Sequence, residues 1–452
     1  MAVDPEAAAH AFEAWRAALN AADRAKLAAV FERAAAPGVF NTVDDAIQFA
    51  RMTGGFDLVA PDPTTTATVY KALVRERDGE QYARAELVVD ASPPHKVTKF
   101  SLLAVPTPDA YRPPVMTEAD ALAALRAELE KQRAKDRFAG TVLVAKNGKP
   151  VFAEAYGLAD REKKVPVTLA TQFRIGSMNK MFTATALMQL VQAKKVTLAT
   201  TVGKLMPGYP NKTVADKVTL HHLLTHTGGT GDIFGPEYDK HRLELKTLDD
   251  YVKLYGEREP AYEPGEKFAY SNYGFLLAGV MIEKATKRSY YDIVQERVFK
   301  PAGMTATASL AEDQPVPARS VGYMHDDQTG AWTPNTDTLP YRGTSAGGGY
   351  STVEDLLKFA NALRANKLLD AKHTQLLGSA QTTREPGVSY GYGFTAQEIN
   401  GVRCIGHGGG APGMNGELRI CDSGYTVVVL ANLDPPAANR IADFITARLP
   451  TK

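Results

Sequence analysis

Apolar positions sort the 452-residue chain into runs of helical and of alternating period. Phe12, Trp15, Leu19, Leu27, Val30 and Phe31 recur at helical spacing, and a shorter helix is expected around Asp44 to Met52. Three strand-like runs follow, "TATVYKALVRE", "QYARAELVVD" and "KVTKFSLLAV", the first two joined across Asp78-Gly79, a hairpin signal. Residues 1–105 therefore read as a small α+β domain. "VPTPDAYRPPVM" carries four prolines and marks residues 106–116 as a linker.

Beyond it, Thr117 with Asp120 signals a helix start, and Leu122, Leu125 and Leu129 form a stripe along that helix. "TVLVAKNGKPVFAEAYG" reads as two strands turning at Asn147-Gly148. Near the far end "ELRICDSGYTVVVLANL" is another strand pair and "AANRIADFITARL" a closing helix. Strands at both ends of residues 117–452, with a helical middle, predict one antiparallel sheet flanked by helices, completed by the two ends of this domain. The fold class is α/β in the α+β sense. Helices followed by long antiparallel strands in residues 1–105 also resemble the cone-shaped nuclear-transport-factor-like fold.

Charge narrows the function classes. Lys and Arg number 52 against 51 Asp and Glu, a net of +1, with no basic run interleaved with aromatics. Nothing here is the electrostatic footprint of nucleic-acid binding. Apolar runs fall short of the ~18 residues of a membrane helix, so no membrane span is expected. The start, "MAVDPEAAAHAF", lacks a charged segment followed by an apolar core. As it stands it reads as cytoplasmic; a start just after a cleaved leader would place the protein in the periplasm or outside the cell. The two cysteines, Cys404 and Cys421, lie on candidate strands either side of "HGGGAPGMNGE". A cross-strand disulfide would suit an oxidising compartment, but two unpaired core cysteines are the expectation. The first-domain helix is a candidate surface for homo-oligomerisation.

"RIGSMNKMFTATALMQLV" (174–191) raises the chemical question. Met178, Met181, Phe182, Leu187, Met188 and Leu190 leave almost no polar face, so this helix should be buried. Lysine is rarely buried without a partner, and Lys180 stands three residues after Ser177, on the same helical face. Serine needs a base to act as a nucleophile. Lysine can serve if burial draws its pKa from ~10.4 toward 7–8. A helix start disfavours an ammonium and offers the Ser177 N–H to an oxyanion.

Two further stretches complete a pattern: Tyr270-Ser271-Asn272 before an apolar helix, and His407-Gly408-Gly409 at the end of a predicted strand. With Ser177-x-x-Lys180, in this order, they resemble the three motifs of the penicillin-recognising serine hydrolases. Tyr-x-Asn in the middle resembles the class C β-lactamase branch, with its family VIII carboxylesterases and D-aminopeptidases. "VTLHHLLTHTGG", "VFKPAGM" and "GGGYSTVEDLLKFANAL" also resemble that branch. The resemblance spans residues 117–450. It implies a β-lactamase-like fold without a cofactor, and an acyl-enzyme on Ser177. It further implies that Lys180 and Tyr270 share the general-base work, with Tyr270 passing the proton to the leaving group. Asn272 would hold Lys180 and contact substrate, and the Gly410 N–H, one past His407-Gly408-Gly409, would complete the oxyanion hole. A non-catalytic binding protein of this fold would have lost Ser177, Lys180 or Tyr270; all three are present.

Competing motifs are weaker. "GTSAG" (343–347) fits a nucleophile elbow, but the polar "NTDTLPYR" precedes it where a buried strand is required, so Ser345 is expected in a loop near the pocket. His222 and His226 have zinc-motif spacing, but Leu223 replaces the glutamate that motif needs, and packing at a helix end is expected instead. Asn211-Lys212-Thr213 fits a glycosylation acceptor, a pattern common by chance. β-Lactam and D-alanyl peptidase members of the family carry Lys-[Ser/Thr]-Gly as third motif, where the cation holds a substrate carboxylate. His407 replaces that cation, which favours neutral acyl esters, with D-aminopeptidase or D-alanyl carboxypeptidase chemistry as the alternative. Tyr323 and Trp332 in "SVGYMHDDQTGAWTPN" are expected to wall the acyl pocket.

Overall fold

The computed structural model describes residues 4–326 and 329–452; Met1–Val3, and Asp327 and Gln328 of the expected pocket loop, lie outside the described residues. The chain divides into two units, one made chiefly of Met1–Pro113, the other of Pro114–His325 with Trp332–Lys452.

In the first unit the helices Ala7–Asn20, Arg24–Phe31 and Val43–Thr53 precede a four-stranded antiparallel sheet in sequence order: Phe56–Pro61, Val69–Glu76, Tyr82–Val89 and Val97–Val105. Phe12, Trp15, Leu19 and Leu27 bury against Tyr70, Val74 and Leu87, and Phe12 stacks on Tyr70 at 4.8 Å. Phe56–Pro61 is a strand the sequence pattern does not signal. It is short, ends on proline and is interrupted by a bulge between Leu58 and Ala60, so no alternation survives.

The second unit is organised by an eight-stranded antiparallel sheet. Its order is Thr382–Glu385, Val388–Tyr390, Thr395–Ile399, Val402–Ala411, Met414–Cys421, Tyr425–Ala431, Gly140–Lys146 and Lys149–Tyr156. The first and last parts of the unit thus meet where Tyr425–Ala431 pairs with Gly140–Lys146. Gly140–Lys146 is buried on both faces, because both faces of the sheet are covered. Val142 and Val144 meet Leu125 and Leu129 of the helix Glu118–Ala134 and Ile441 and Ile445 of the helix Ala437–Thr446. Leu143 and Ala145 belong to the larger core on the other face, with Phe182, Leu187, Leu276 and Phe359. Thr117 caps the helix Glu118–Ala134 by accepting from the Asp120 N–H. Asn147 and Gly148 take the positive φ angles (48° and 79°) of a tight hairpin turn.

Cys404 and Cys421 form a disulfide, not the unpaired core cysteines expected from sequence. A two-residue turn pairs Ala411 with Met414, and that register puts Cys404 directly opposite Cys421, with Cα atoms 4.0 Å apart. Asn211 is buried and caps the helix Lys212–Lys217 through the Val214 N–H, a poor position for a glycan. Among the described residues no helix is long and apolar enough to cross a membrane.

Candidate active site

Gly176 has φ +50°, which keeps the chain out of the helix one residue before Ser177. Ser177 therefore lies in a 3₁₀ turn, Gly176–Met178, and the α-helix begins at Asn179 and runs to Gln192. The helix is buried as its sequence requires: Phe182 meets Phe299 and Phe359 edge-on at 5.0 and 4.9 Å. Lys180 is fully buried, while Ser177 keeps partial exposure.

Three oxygens surround the Lys180 amine: Ser177 Oγ at 3.1 Å, Asn272 Oδ1 at 2.7 Å and the Ala346 carbonyl at 2.5 Å. Burial lowers the Lys180 pKa to about 7; Asp232 opposes the shift and Arg384 adds to it. A neutral amine has two N–H groups and one lone pair. The Asn272 amide oxygen and the Ala346 carbonyl can only accept, so they take both N–H groups. The lone pair is left facing the Ser177 hydroxyl.

Asn272 opens the helix Asn272–Thr286, which Ser271 caps by accepting from the Gly274 N–H. Its Nδ2 donates to Asp232 at 2.9 and 3.2 Å, which fixes Oδ1 toward Lys180. The Tyr270 ring centroid is 4.7 Å from Lys180 Nζ. Burial raises the Tyr270 pKa, partly offset by its hydrogen bond with Ser177, so the phenol stays protonated at neutral pH. Beneath that ring lies His226, fully buried, its centroid 4.2 Å from that of Tyr270. His226 Nδ1 accepts from the Ser271 N–H at 3.0 Å, so the neutral ring carries its proton on Nε2. Burial first, then Lys180, depress its pKa well below the usual imidazole range.

The third stretch approaches Ser177 with its backbone. A Cβ on Gly409 would stand 2.0 Å from Ile175 O and 3.2 Å from Ser177 N, and one on Gly176 would stand 3.3 Å from Gly410 N. Only glycine lets strand Val402–Ala411 come so close to the Ser177 turn. Behind it, Asn415 Nδ2 donates to Gly409 O at 2.9 Å, and Glu417 Oε2 would lie 2.5 Å from a Cβ on Gly408. His407 turns inward: Nδ1 donates to Gly408 O at 2.5 Å and Nε2 accepts from Tyr390 Oη at 3.0 Å. Burial, with Lys180 nearby, lowers its pKa to about 3.

Several partners carry no sequence signal of their own. Asp232, on a loop, and Arg384, on the edge strand Thr382–Glu385, act on Lys180 through charge. "GTSAG" has a different use from the one its pattern suggests. Ser345 is fully buried, packed against Gly279, and its carbonyl accepts from Thr183 Oγ1 at 2.7 Å. Thr344 O accepts from Asn179 Nδ2 at 2.8 Å, so this segment straps the turn that holds Ser177. His222 Nδ1 accepts from Thr219 N–H in a capping box, in a separate hydrogen bond from that of His226. Tyr323 does not serve as a pocket wall, and Trp332 is half-buried against the Arg161 side chain. Tyr323 is buried with Ala139 and Leu433 and its hydroxyl accepts from the Arg161 N–H, while Trp332 lies under the Arg161 guanidinium at 5.0 Å. The sequence ranks both by size and aromaticity, and neither property reports which core a ring joins.

Comparison with known proteins gives the family. The Beta-lactamase family model matches residues 125–451. The crystal structure of a penicillin binding protein from Bacillus halodurans superposes with a TM-score of 0.64 at 30% identity, covering 71% of this chain and 99% of that one. Esterase EstB of Burkholderia gladioli is 29% identical over 61% of this chain and 80% of its own length. A D-aminopeptidase of Brucella anthropi is 26% identical over 66% of this chain and 57% of its own. The chain belongs to the β-lactamase family of serine hydrolases.

Proposed function

We propose that the protein is an esterase that acylates Ser177 with small or medium acyl groups. The observation that carries this reading is the saturation of the two Lys180 N–H groups by Asn272 and Ala346, which leaves its lone pair for the Ser177 hydroxyl. As Oγ attacks the ester carbonyl, its proton passes to Lys180 and the oxyanion is received by the N–H groups of Ser177 and Gly410. Tyr270, held as the phenol, gives its proton to the leaving alkoxide and recovers one from Lys180. Water then attacks the acyl carbonyl, loses a proton to the same base, and Ser177 departs reprotonated.

The ester preference rests on the third motif. A buried, neutral His407 whose two nitrogens are both engaged offers no charge to a substrate carboxylate. The missing charge-assisted hydrogen bond is worth about 1.5–3 kcal/mol. The likeness to esterase EstB supports the same preference. Amide hydrolysis is the second reading, favoured by the protonated Tyr270 hydroxyl beside Ser177, a suitable acid for a poor leaving group.

The test compares p-nitrophenyl esters, nitrocefin and D-alanyl p-nitroanilide on wild type and Ser177→Ala. Ester turnover should dominate and vanish in the variant. Dominant lactam or anilide turnover would overturn the ester preference, and turnover surviving in Ser177→Ala would overturn the nucleophile.

A further inference from the structure

The strand Val402–Ala411 runs past Ser177 on three glycines, Gly408, Gly409 and Gly410, none of which carries a side chain that could pin it. Its pairing with Thr395–Ile399 ends at Gly406, so beyond that point the sheet holds it through Met414–Cys421. The register with that strand runs without a bulge from Cys404 to Ala411. A two-residue turn makes Ala411 and Met414 a hydrogen-bonded pair, and bonded and non-bonded pairs alternate along the ladder. Gly410 opposite Asn415 is therefore a non-bonded pair, and the Gly410 N–H points away from strand Met414–Cys421. A Cβ on Gly176 would stand 3.3 Å from this nitrogen, which puts it beside the Ser177 turn. The Gly410 N–H shares one planar trans peptide with the Gly409 carbonyl, so the two point in opposite directions. Whatever fixes Gly409 O also aims Gly410 N–H, and Gly409 O accepts from Asn415 Nδ2 at 2.9 Å.

Asn415 is buried, and both ends of its amide are fully engaged. Oδ1 accepts from the Ala438 and Asn439 N–H groups at 2.6 and 3.1 Å, which Pro436 at the start of the helix Ala437–Thr446 leaves without a side-chain cap. Nδ2 donates to Asn439 Oδ1 at 2.7 Å as well as to Gly409 O. Capping alone needs only an acceptor, and an aspartate would serve while complementing the helix dipole. The donor end of the amide is what reaches the glycine strand. Asn439 is itself anchored: its Nδ2 donates to Glu417 Oε2 at 2.8 Å, and Arg419 ties Glu417 to Asp443 of the same helix.

We propose that Asn415 is a positioning residue for the oxyanion hole: it fastens the Gly409–Gly410 peptide to the first turn of the helix Ala437–Thr446, so that the Gly410 N–H is aimed at the developing oxyanion. The inference rests on the reading of Ser177 as nucleophile and of the Gly410 N–H as an oxyanion donor, and adds the residue outside the three motifs that keeps this donor in place. A donor aimed beforehand needs no reorganisation as charge develops.

The test uses p-nitrophenyl butyrate and a p-nitrophenyl alkylphosphonate ester on wild type, Asn415→Ala, Asn439→Ala and Ser177→Ala. On the phosphonate, Ser177 Oγ displaces p-nitrophenolate from phosphorus and its proton passes to Lys180. The product is a stable tetrahedral adduct whose P=O oxygen stands where the oxyanion would. Asn415→Ala should lower kcat/KM for the butyrate about ten- to a hundred-fold, less than the full loss of one oxyanion donor. It should also move the ³¹P resonance of the adduct away from its wild-type position. Asn439→Ala keeps the donor to Gly409 O and should retain the wild-type rate and resonance. Asn415→Leu, which fills the space of the amide and donates nothing, takes over if the alanine variant does not fold. An unmoved resonance in the Asn415 variant, or equal losses in Asn415→Ala and Asn439→Ala, would overturn the proposal and reduce Asn415 to an anchor for the helix. In either case, turnover and adduct that need Ser177 would leave the nucleophile standing. No Ser177-dependent turnover or adduct would overturn both.

Discussion

The Tyr390 hydroxyl donates to Nε2 of His407 across 3.0 Å, inside a cluster where neither side chain is exposed. The Gly408 carbonyl takes the Nδ1 proton, so both nitrogens of the third motif's histidine are satisfied by the protein. His407 thus has no free ring nitrogen to offer a substrate, and in the proposed mechanism the backbone of Gly410 makes that contact instead.

Tyr390→Phe removes the donor and leaves a buried acceptor unpaired. The unfolding free energy should fall by about 1–3 kcal/mol, read from urea denaturation. His407→Lys, which restores the cation of the lactam-hydrolysing members, should destabilise the protein and gain no nitrocefin turnover, because the new charge would be buried near Lys180. A lysine variant as stable as wild type that opens nitrocefin would contradict this placement.

As the proposed base, Lys180 should set the acid limb of the rate profile. With a pKa of about 7 in the folded protein, kcat/KM for an uncharged ester should rise with pH through about 7 as the amine loses its proton. Lys180→Met should abolish that limb and cost about 10²–10⁴ in rate. A flat profile between pH 5 and 9 in wild type would show that another group is the base.

The same shift links to stability. The unfolded lysine holds its proton up to its ordinary value of 10.5, and the folded one releases it near 7. Between these values the unfolded chain binds one more proton, so this group makes the protein more stable as pH rises, by up to ~1.4 kcal/mol per unit. The contribution is constant below the folded value and above the unfolded one. The difference in unfolding free energy between wild type and Lys180→Met, followed from pH 7 to 9.5, should show this slope; parallel curves would contradict the neutral buried amine.

Ser177 and Lys180 came into view from their spacing on one buried helix, whereas Tyr270 and Asn272, at the start of a different helix, came into view only through the resemblance carried by the three motifs together. Both hairpin turns with Asn-Gly or Asp-Gly were legible because their signal is local. The places of Asp232, Arg384, His226 and Tyr390 beside Lys180 were not, since each comes from a loop, a turn or one of the two outermost strands at one side of the sheet, whose approach depends on how distant segments pack. The cysteine pair stood between these cases. The mirrored positions of Cys404 and Cys421 were visible, but pairing required the exact register set by the turn between Ala411 and Met414.

Closing Cys404 to Cys421 constrains a segment of sequence separation 17. Reduction, or Cys404→Ala with Cys421→Ala, should lower stability by about 2–4 kcal/mol while Ser177-dependent ester turnover persists at temperatures below unfolding. Urea midpoints with and without reductant decide this; identical midpoints would show that the bond contributes nothing.

The central claim is that Ser177, with Lys180 as its base, forms an acyl-enzyme. The most direct measurement is intact-mass spectrometry of protein quenched in acid within milliseconds of mixing with a p-nitrophenyl ester, followed by peptide mapping. One acyl group on the peptide containing Ser177, absent in Ser177→Ala and formed far more slowly in Lys180→Met, is the predicted result. An adduct on another residue, or rapid acylation of Ser177 in the Lys180→Met protein, would contradict it.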